Sequence, residues 1–210
     1  MIKKNLKTMI ITSIIILAPI IAGVILWDKL PDQIATHFSS NGTPDGWSPK
    51  EFAVFGMPIF LLVVHWCCIA FTSVDPKKQN ISDKVIILMM WLCPIISILG
   101  CGSTYLYELN HGFNSVPIAI GFVGCLFLVM GNYMPKMKQS YIIGIKIPWT
   151  LNSEENWNRT HRLAGRVFML AGAITIIAGF LQMFTFVIIS LFVAALIPTL
   201  YSFVLYKKGI

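Results

Sequence analysis

His37 stands between Asp32 and Asp45 in a short polar segment, and that trio is the first candidate for chemistry. An imidazole with two carboxylates can hold a divalent cation or change charge near neutral pH. The same groups can instead shape a loop by hydrogen bonds to its backbone, and no metal-type spacing decides between the two. Trp47 and Lys50 close the segment. A second candidate runs from Asn132 and Lys138 through Gly144, Lys146, Pro148, Trp149 and Thr150 to Trp157, His161 and Arg162. Its cations suit anionic lipid headgroups. Its Gly-x-Lys-x-Pro-Trp-Thr texture is too specific for a plain anchor and reads as a structural clamp or as a partner site. His65 lies in an apolar run, as a functional group or bonded to a neighbouring helix's carbonyl. No nucleophile–base pair, HExxH, phosphate-cradling loop or paired intramembrane carboxylate appears. The five cysteines fall in apolar runs without CxxC spacing. Hence no catalytic residue, metal or cofactor is assigned, and an enzyme is not expected.

The elements that carry these groups are membrane spans. Of 210 residues, 56% are hydrophobic and only 12% charged, which excludes an ordinary soluble enzyme and a disordered chain. Six apolar stretches are long enough to cross a bilayer: 9–27, 52–72, 85–107, 116–134, 163–183 and 184–206. The first has too long an apolar run for a signal peptide and no clear cleavage site. With the N-terminus inside, fourteen of the sixteen Lys and Arg fall in inner segments, leaving Lys29 and Lys50 outside. This placement assigns the net charge of +7 to a membrane rather than to nucleic acid. The expected fold is an all-α membrane protein with six transmembrane helices and cytoplasmic N- and C-termini. It forms one polytopic domain, 1–210, with a first helix pair over 9–72 and a second region over 116–206.

Local signals fill in the loops. Asn41-Gly42 and Pro44-Asp45-Gly46 predict tight turns in a compact outer loop. Pro148 predicts an extended Ile147 and no helix there. Asn152 with Glu155 predicts a capping box, with a helix from Ser153 running into the fifth span. On that helix Asn158, Arg162 and Arg166 share one face, Trp157, His161 and Gly165 another, and Glu155 pairs with Arg159. Trp27, Tyr105, Tyr107, Tyr133, Trp149, Trp157 and Tyr206 are expected at headgroup level. Asn132 and Gln182 are expected to join helices. Glu108 and His111 are expected to be solvated.

Two stretches carry a resemblance. Leu30-Pro31-Asp32-Gln33-Ile34-Ala35-Thr36-His37-Phe38, then Gly42, Asp45-Gly46-Trp47 and Lys50, resembles a bacterial membrane domain of unknown function. Gly131-Asn132 through Gly144-x-Lys146-x-Pro148-Trp149-Thr150-Leu151 to Trp157 and His161-Arg162 resembles the SdpI family. In that family the run usually has Arg where Lys146 stands, which removes a planar, bidentate donor. It also tends to have Asn where Ser140 stands. The resemblance implies a six-helix protein of the bacterial cell membrane that protects against a secreted peptide toxin. It further implies a receptor role, in which a cytoplasmic repressor is held at the membrane. Asp32, His37, Asp45, Trp47 and Lys50 would then face the toxin. Asn132, Lys138, Gly144, Lys146, Pro148, Trp149, Thr150, Trp157, His161 and Arg162 would bind the repressor or close the bundle. A small-solute or peptide transporter is the alternative, and a metal-dependent enzyme built on Asp32, His37 and Asp45 a weaker one.

Overall fold

A computed structural model describes residues 2–110 and 113–210, with side chains from residue 4 onward. His111 lies outside the described residues, as does the side chain of Lys3. Among the described residues six helices are long and apolar enough to span a membrane, over 4–25, 52–74, 83–109, 116–136, 154–180 and 184–207. The chain divides into two compact units, 1–73 with 86–116, and 74–85 with 117–210.

The first unit contains α1 (Ile2–Ile25), α2 (Met57–Val74) and most of α3 (Asp83–Leu109). Polar side chains join these helices at membrane depth, where no water competes for them. Ser97 donates to the Ile16 carbonyl at 2.7 Å. His65 bonds the Thr12 hydroxyl at 3.1 Å, so its partner is a side chain rather than the expected carbonyl. The segment between α1 and α2 is an antiparallel hairpin, β1 (Gln33–Phe38) and β2 (Pro44–Pro49), which the all-α expectation did not contain. Its register pairs Ile34 with Ser48 and Ala35 with Trp47, then slips at Thr36 so that His37 faces Gly46. The tip is closed by Asn41, whose side-chain oxygen accepts from the Ser39 hydroxyl and the Thr43 amide, with Gly42 at φ +85°. Ile34 is buried with Leu30, Ala53, Val54, Cys101 and Tyr105, which roots the hairpin in the helices, and Ala35 beside it is buried too. Tyr105 therefore belongs to this core and not to a headgroup belt.

The second unit contains α4 (Val116–Tyr133), α5 (Pro148–Asn152), α6 (Glu154–Phe180) and α7 (Phe184–Lys207). The α4–α6 contact is built from glycines at heptad spacing: Gly124 and Gly131 against Gly172 and Gly165. A Cβ on Gly131 would stand 2.8 Å from the Gly165 carbonyl oxygen, and one on Gly172 would stand 2.7 Å from that of Gly124. Backbones in lipid approach this closely only through such residues. The turn between α6 and α7 returns the Met183 amide to the Ala178 carbonyl at 2.8 Å, with Gln182 at φ +55°. Gln182 is thus an exposed turn residue, not a join between helices. Within the pair, Thr175 bonds Ser190 at 2.9 Å.

Candidate functional site

The segment 134–153 folds into a platform at the start of α6, and a carboxylate far back in the chain organises it. Asp75 follows α2 directly and is 2% exposed. One of its oxygens accepts from the Ser140 hydroxyl at 2.7 Å and from the Tyr141 and Ile142 amides at 3.1 Å each. The other accepts from the Lys77 amide at 2.7 Å. Burial pushes the Asp75 carboxyl up, but these hydrogen bonds outweigh it and hold the group below the usual carboxylate range. Ser140 repeats the arrangement, its hydroxyl accepting from the Ile142 and Ile143 amides at 3.1 and 3.2 Å. Gln139 extends it: its amide nitrogen donates to the Thr150 and Leu151 carbonyls at 2.8 Å each, and its oxygen accepts from Lys77 Nζ. Two carbonyls in the last turn of α5 are thereby satisfied.

Past Ser140 the backbone turns at Gly144, φ +121°, a conformation that L side chains rarely adopt. A Cβ here would also lie 2.6 Å from the Trp157 ring and 2.7 Å from His161 Nε2. Trp157 and His161 stack at 4.0 Å between ring centroids, one turn apart on α6. The Trp157 indole donates to the Met137 carbonyl at 2.8 Å. His161 Nε2 accepts from the Ile145 amide at 3.0 Å, so it carries no proton, and Nδ1 donates to the Trp157 carbonyl at 2.9 Å. The ring is therefore a neutral, oriented acceptor. Thr150 is a second such residue: it donates to the Ile145 carbonyl at 2.7 Å and accepts from the Ile147 amide at 3.2 Å.

Several local expectations change in detail. Ile147 is extended, but Pro148 opens the short helix α5 rather than preventing one, because a helix's first residue needs no amide proton. The α6 cap is Ser153, accepting from the Asn156 amide at 3.1 Å, one residue past Asn152. Glu155 and Arg159 pair at 2.5 Å. Trp157, His161 and Thr150 are buried, so they shape the platform from within and present nothing to a partner. Lys138, Lys146, Pro148 and Arg162 are exposed, and Gly144 is half-buried. Trp149 is half-buried against Phe203 and Tyr206, at 5.1 and 5.9 Å between centroids. Asn132 is exposed beside Lys136 and joins no helices. Asn156, which the spacing arguments passed over, is fully buried. It donates to the Ser202 and Ile210 carbonyls at 3.0 and 3.1 Å and accepts from Ser202 at 2.6 Å.

The hairpin gathers its predicted residues less completely. His37 Nδ1 and Asp45 Oδ1 lie 2.5 Å apart, both exposed. Asp32 does not join them: its carboxylate lies 3.4 Å from Lys50 Nζ. Among the described residues no three His, Cys, Asp or Glu groups converge on a metal-sized site. Trp47 is exposed, but Lys50 is not the outward-facing residue expected. It is 9% exposed, donates to the Trp27 carbonyl at 3.3 Å and lies over the Trp27 ring. Glu108 is likewise structural, accepting from the Ala35 amide at 2.7 Å. It satisfies a strand-edge donor instead of water.

Six apolar helices with polar residues gathered into a folded hairpin and a folded platform define a multi-pass membrane protein. Residues 136–202, the platform and the helices that follow, match the SdpI/YfhL protein family, and residues 14–62, which include the hairpin, match a domain of unknown function, DUF1648. The chain is 26% identical to the Immunity protein SdpI of Bacillus subtilis (strain 168) over 211 residues, covering 97% of this chain and 98% of that protein. No solved structure matches it.

Proposed function

We propose that this chain is a membrane immunity protein that protects its cell from a secreted peptide toxin. The observation that carries this reading is the end-to-end similarity to Immunity protein SdpI, which takes in both the hairpin and the platform. The Lys and Arg distribution supports cytoplasmic N- and C-termini. The hairpin then faces outward and offers the toxin an exposed edge of His37, Asp45 and Trp47. The platform faces the cytoplasm and offers a repressor the exposed Lys138, Lys146 and Pro148 beside Trp149. The buried Asp75, Ser140, Trp157 and His161 set the shape of that surface without touching the partner.

Expression in a toxin-sensitive Gram-positive strain, challenged with a sporulation-delay-type peptide toxin, tests the reading. A potential-sensitive dye should report a maintained membrane potential only in cells that carry the protein. The double change H37A/W47A should remove protection while the protein stays in the membrane. Equal collapse of potential with and without the protein would sink the reading for that toxin class.

A further inference from the structure

Arg162 and Arg166 lie one turn apart on the same exposed face of α6, and neither makes an ion pair or hydrogen bond among the described residues. Like charges at this spacing repel in an isolated helix. Across from them, near the end of α4, stand Asn132 and Lys136. The groove between holds about 260 Å³, and its floor is the close approach of Gly131 to Gly165, with Pro135 and Met169. Three cations and an amide thus line a preformed cleft with no carboxylate in its lining. Arg159, one turn further along α6, is already paired with Glu155.

The level of the groove identifies what fills it. About 27 Å of helix rise separates Arg162 from Phe180, close to the ~30 Å hydrocarbon thickness. The cations therefore sit where phosphates of one leaflet lie. Arg166, a turn deeper, reaches that level along its own aliphatic stem. From the groove toward the membrane centre the exposed surface is apolar: Met169 and Leu170 on α6, Val129 and Met130 on α4. A soluble anion would use only the charged half of this surface. A lipid uses both.

We propose that the α4–α6 groove is a binding site for one anionic phospholipid, its phosphate held by Arg162, Arg166 and Lys136 and an acyl chain lying along Met169. Guanidinium groups are suited to this because their donors match two phosphate oxygens at once. The proposal is independent of toxin immunity and needs only that the helices span a membrane.

The test is native mass spectrometry of the intact protein from mixed micelles containing equal phosphatidylglycerol and phosphatidylcholine. The protein should retain one phosphatidylglycerol in preference to phosphatidylcholine. R162Q/R166Q should lower that preference about tenfold, whereas R162K/R166K should keep most of it and R159Q all of it. Glycerol phosphate at millimolar concentration should not displace the lipid. Equal retention of the two lipids by the unchanged protein overturns the proposal, even if the glutamine variant fails to fold. So does an equal loss in K207Q/K208Q, which would mark a diffuse basic surface. Displacement by glycerol phosphate would assign the groove to a soluble anion instead.

Discussion

Asp75 shows how much one carboxylate can organise when its acceptors are all used. Three donors from 140–142 and one from Lys77 converge on it, so its charge is neutralised by dipoles rather than by a cation. Asp75→Asn keeps the size but points an NH₂ group at some of these donors. The expected loss is about 2 kcal/mol, seen as a lower thermal midpoint in detergent. The pH dependence has a fixed sign. Because the folded-state carboxyl lies below its usual value, its contribution is complete above the ordinary carboxylate range. It is lost as pH falls through the folded value, so acid should narrow the difference between the protein and Asp75→Asn. Gly144→Ala tests the turn beside it: backbone strain alone is about 1–3 kcal/mol, and the added methyl meets Trp157 and His161. The destabilisation should exceed that of Asp75→Asn. At this scale the sequence was legible in part. Trp157 and His161 are conspicuous as uncommon residues one helical turn apart, and Gly144 as the start of the Gly-x-Lys-x-Pro-Trp-Thr run. Asp75 is not, because nothing local marks which of nine acids meets a backbone 65 residues away. Ser140 was visible only as a departure from a family pattern.

The hairpin and the glycine seam show two ways in which elements escape or yield to pattern reading. Both strands contain residues poor in strand propensity, Pro44, Gly46 and Pro49 in β2 above all, so alternation gives no strand signal. Only the turn at Asn41-Gly42 is readable and present; Pro44-Asp45-Gly46, which also reads as a tight turn, lies in β2 instead, paired with Phe38 and His37. Together the two signals predict a compact loop. What makes it a hairpin is long-range support from the helices: Glu108 on the Ala35 amide, and Phe38 packed edge-on to Tyr107 at 5.1 Å. Glu108→Ala should therefore expose the hairpin to limited proteolysis between 38 and 45 in reconstituted protein, leaving α1 and α2 intact. An unchanged cleavage rate would mean that the buried Ile34 and Ala35 suffice alone. The glycines of α4 and α6 have a sevenfold spacing that is present in the sequence, but which helix each faces is fixed only by packing. Gly172→Leu places a side chain where the Gly124 carbonyl already lies and should abolish the folded, monodisperse species on size-exclusion chromatography.

For the whole molecule, the number and approximate position of the membrane spans followed from apolar length alone, because ~30 Å of hydrocarbon demands about 20 residues whatever the tertiary contacts. Four described spans agree with the apolar stretches to within about two residues, whereas α1 starts earlier and α6 earlier still, because a polar first third precedes the apolar run from Leu163. Orientation rests on charge and is open to direct test. An epitope inserted between Asn41 and Gly42 should be stained in intact cells, and one after Ile210 only after permeabilisation. The opposite pattern would place the platform outside and remove the cytoplasmic partner from the proposal. A further consequence follows from the sequence separation of the platform's partners. Asp75 leaves the ribosome 65 residues before Ser140, and Asn156 emerges 46 residues before Ser202. At about 5–20 residues per second, each waits several seconds with its distant hydrogen bonds unmade. The nascent chain therefore holds two recognisable signs of incompleteness, a solvated carboxylate after α2 and an unsatisfied side-chain amide in α6. The first disappears once 140–142 has folded onto Asp75, the second only when the last helix is in place, so a membrane protease or chaperone that samples exposed polar groups can separate finished molecules from chains stalled at two different stages.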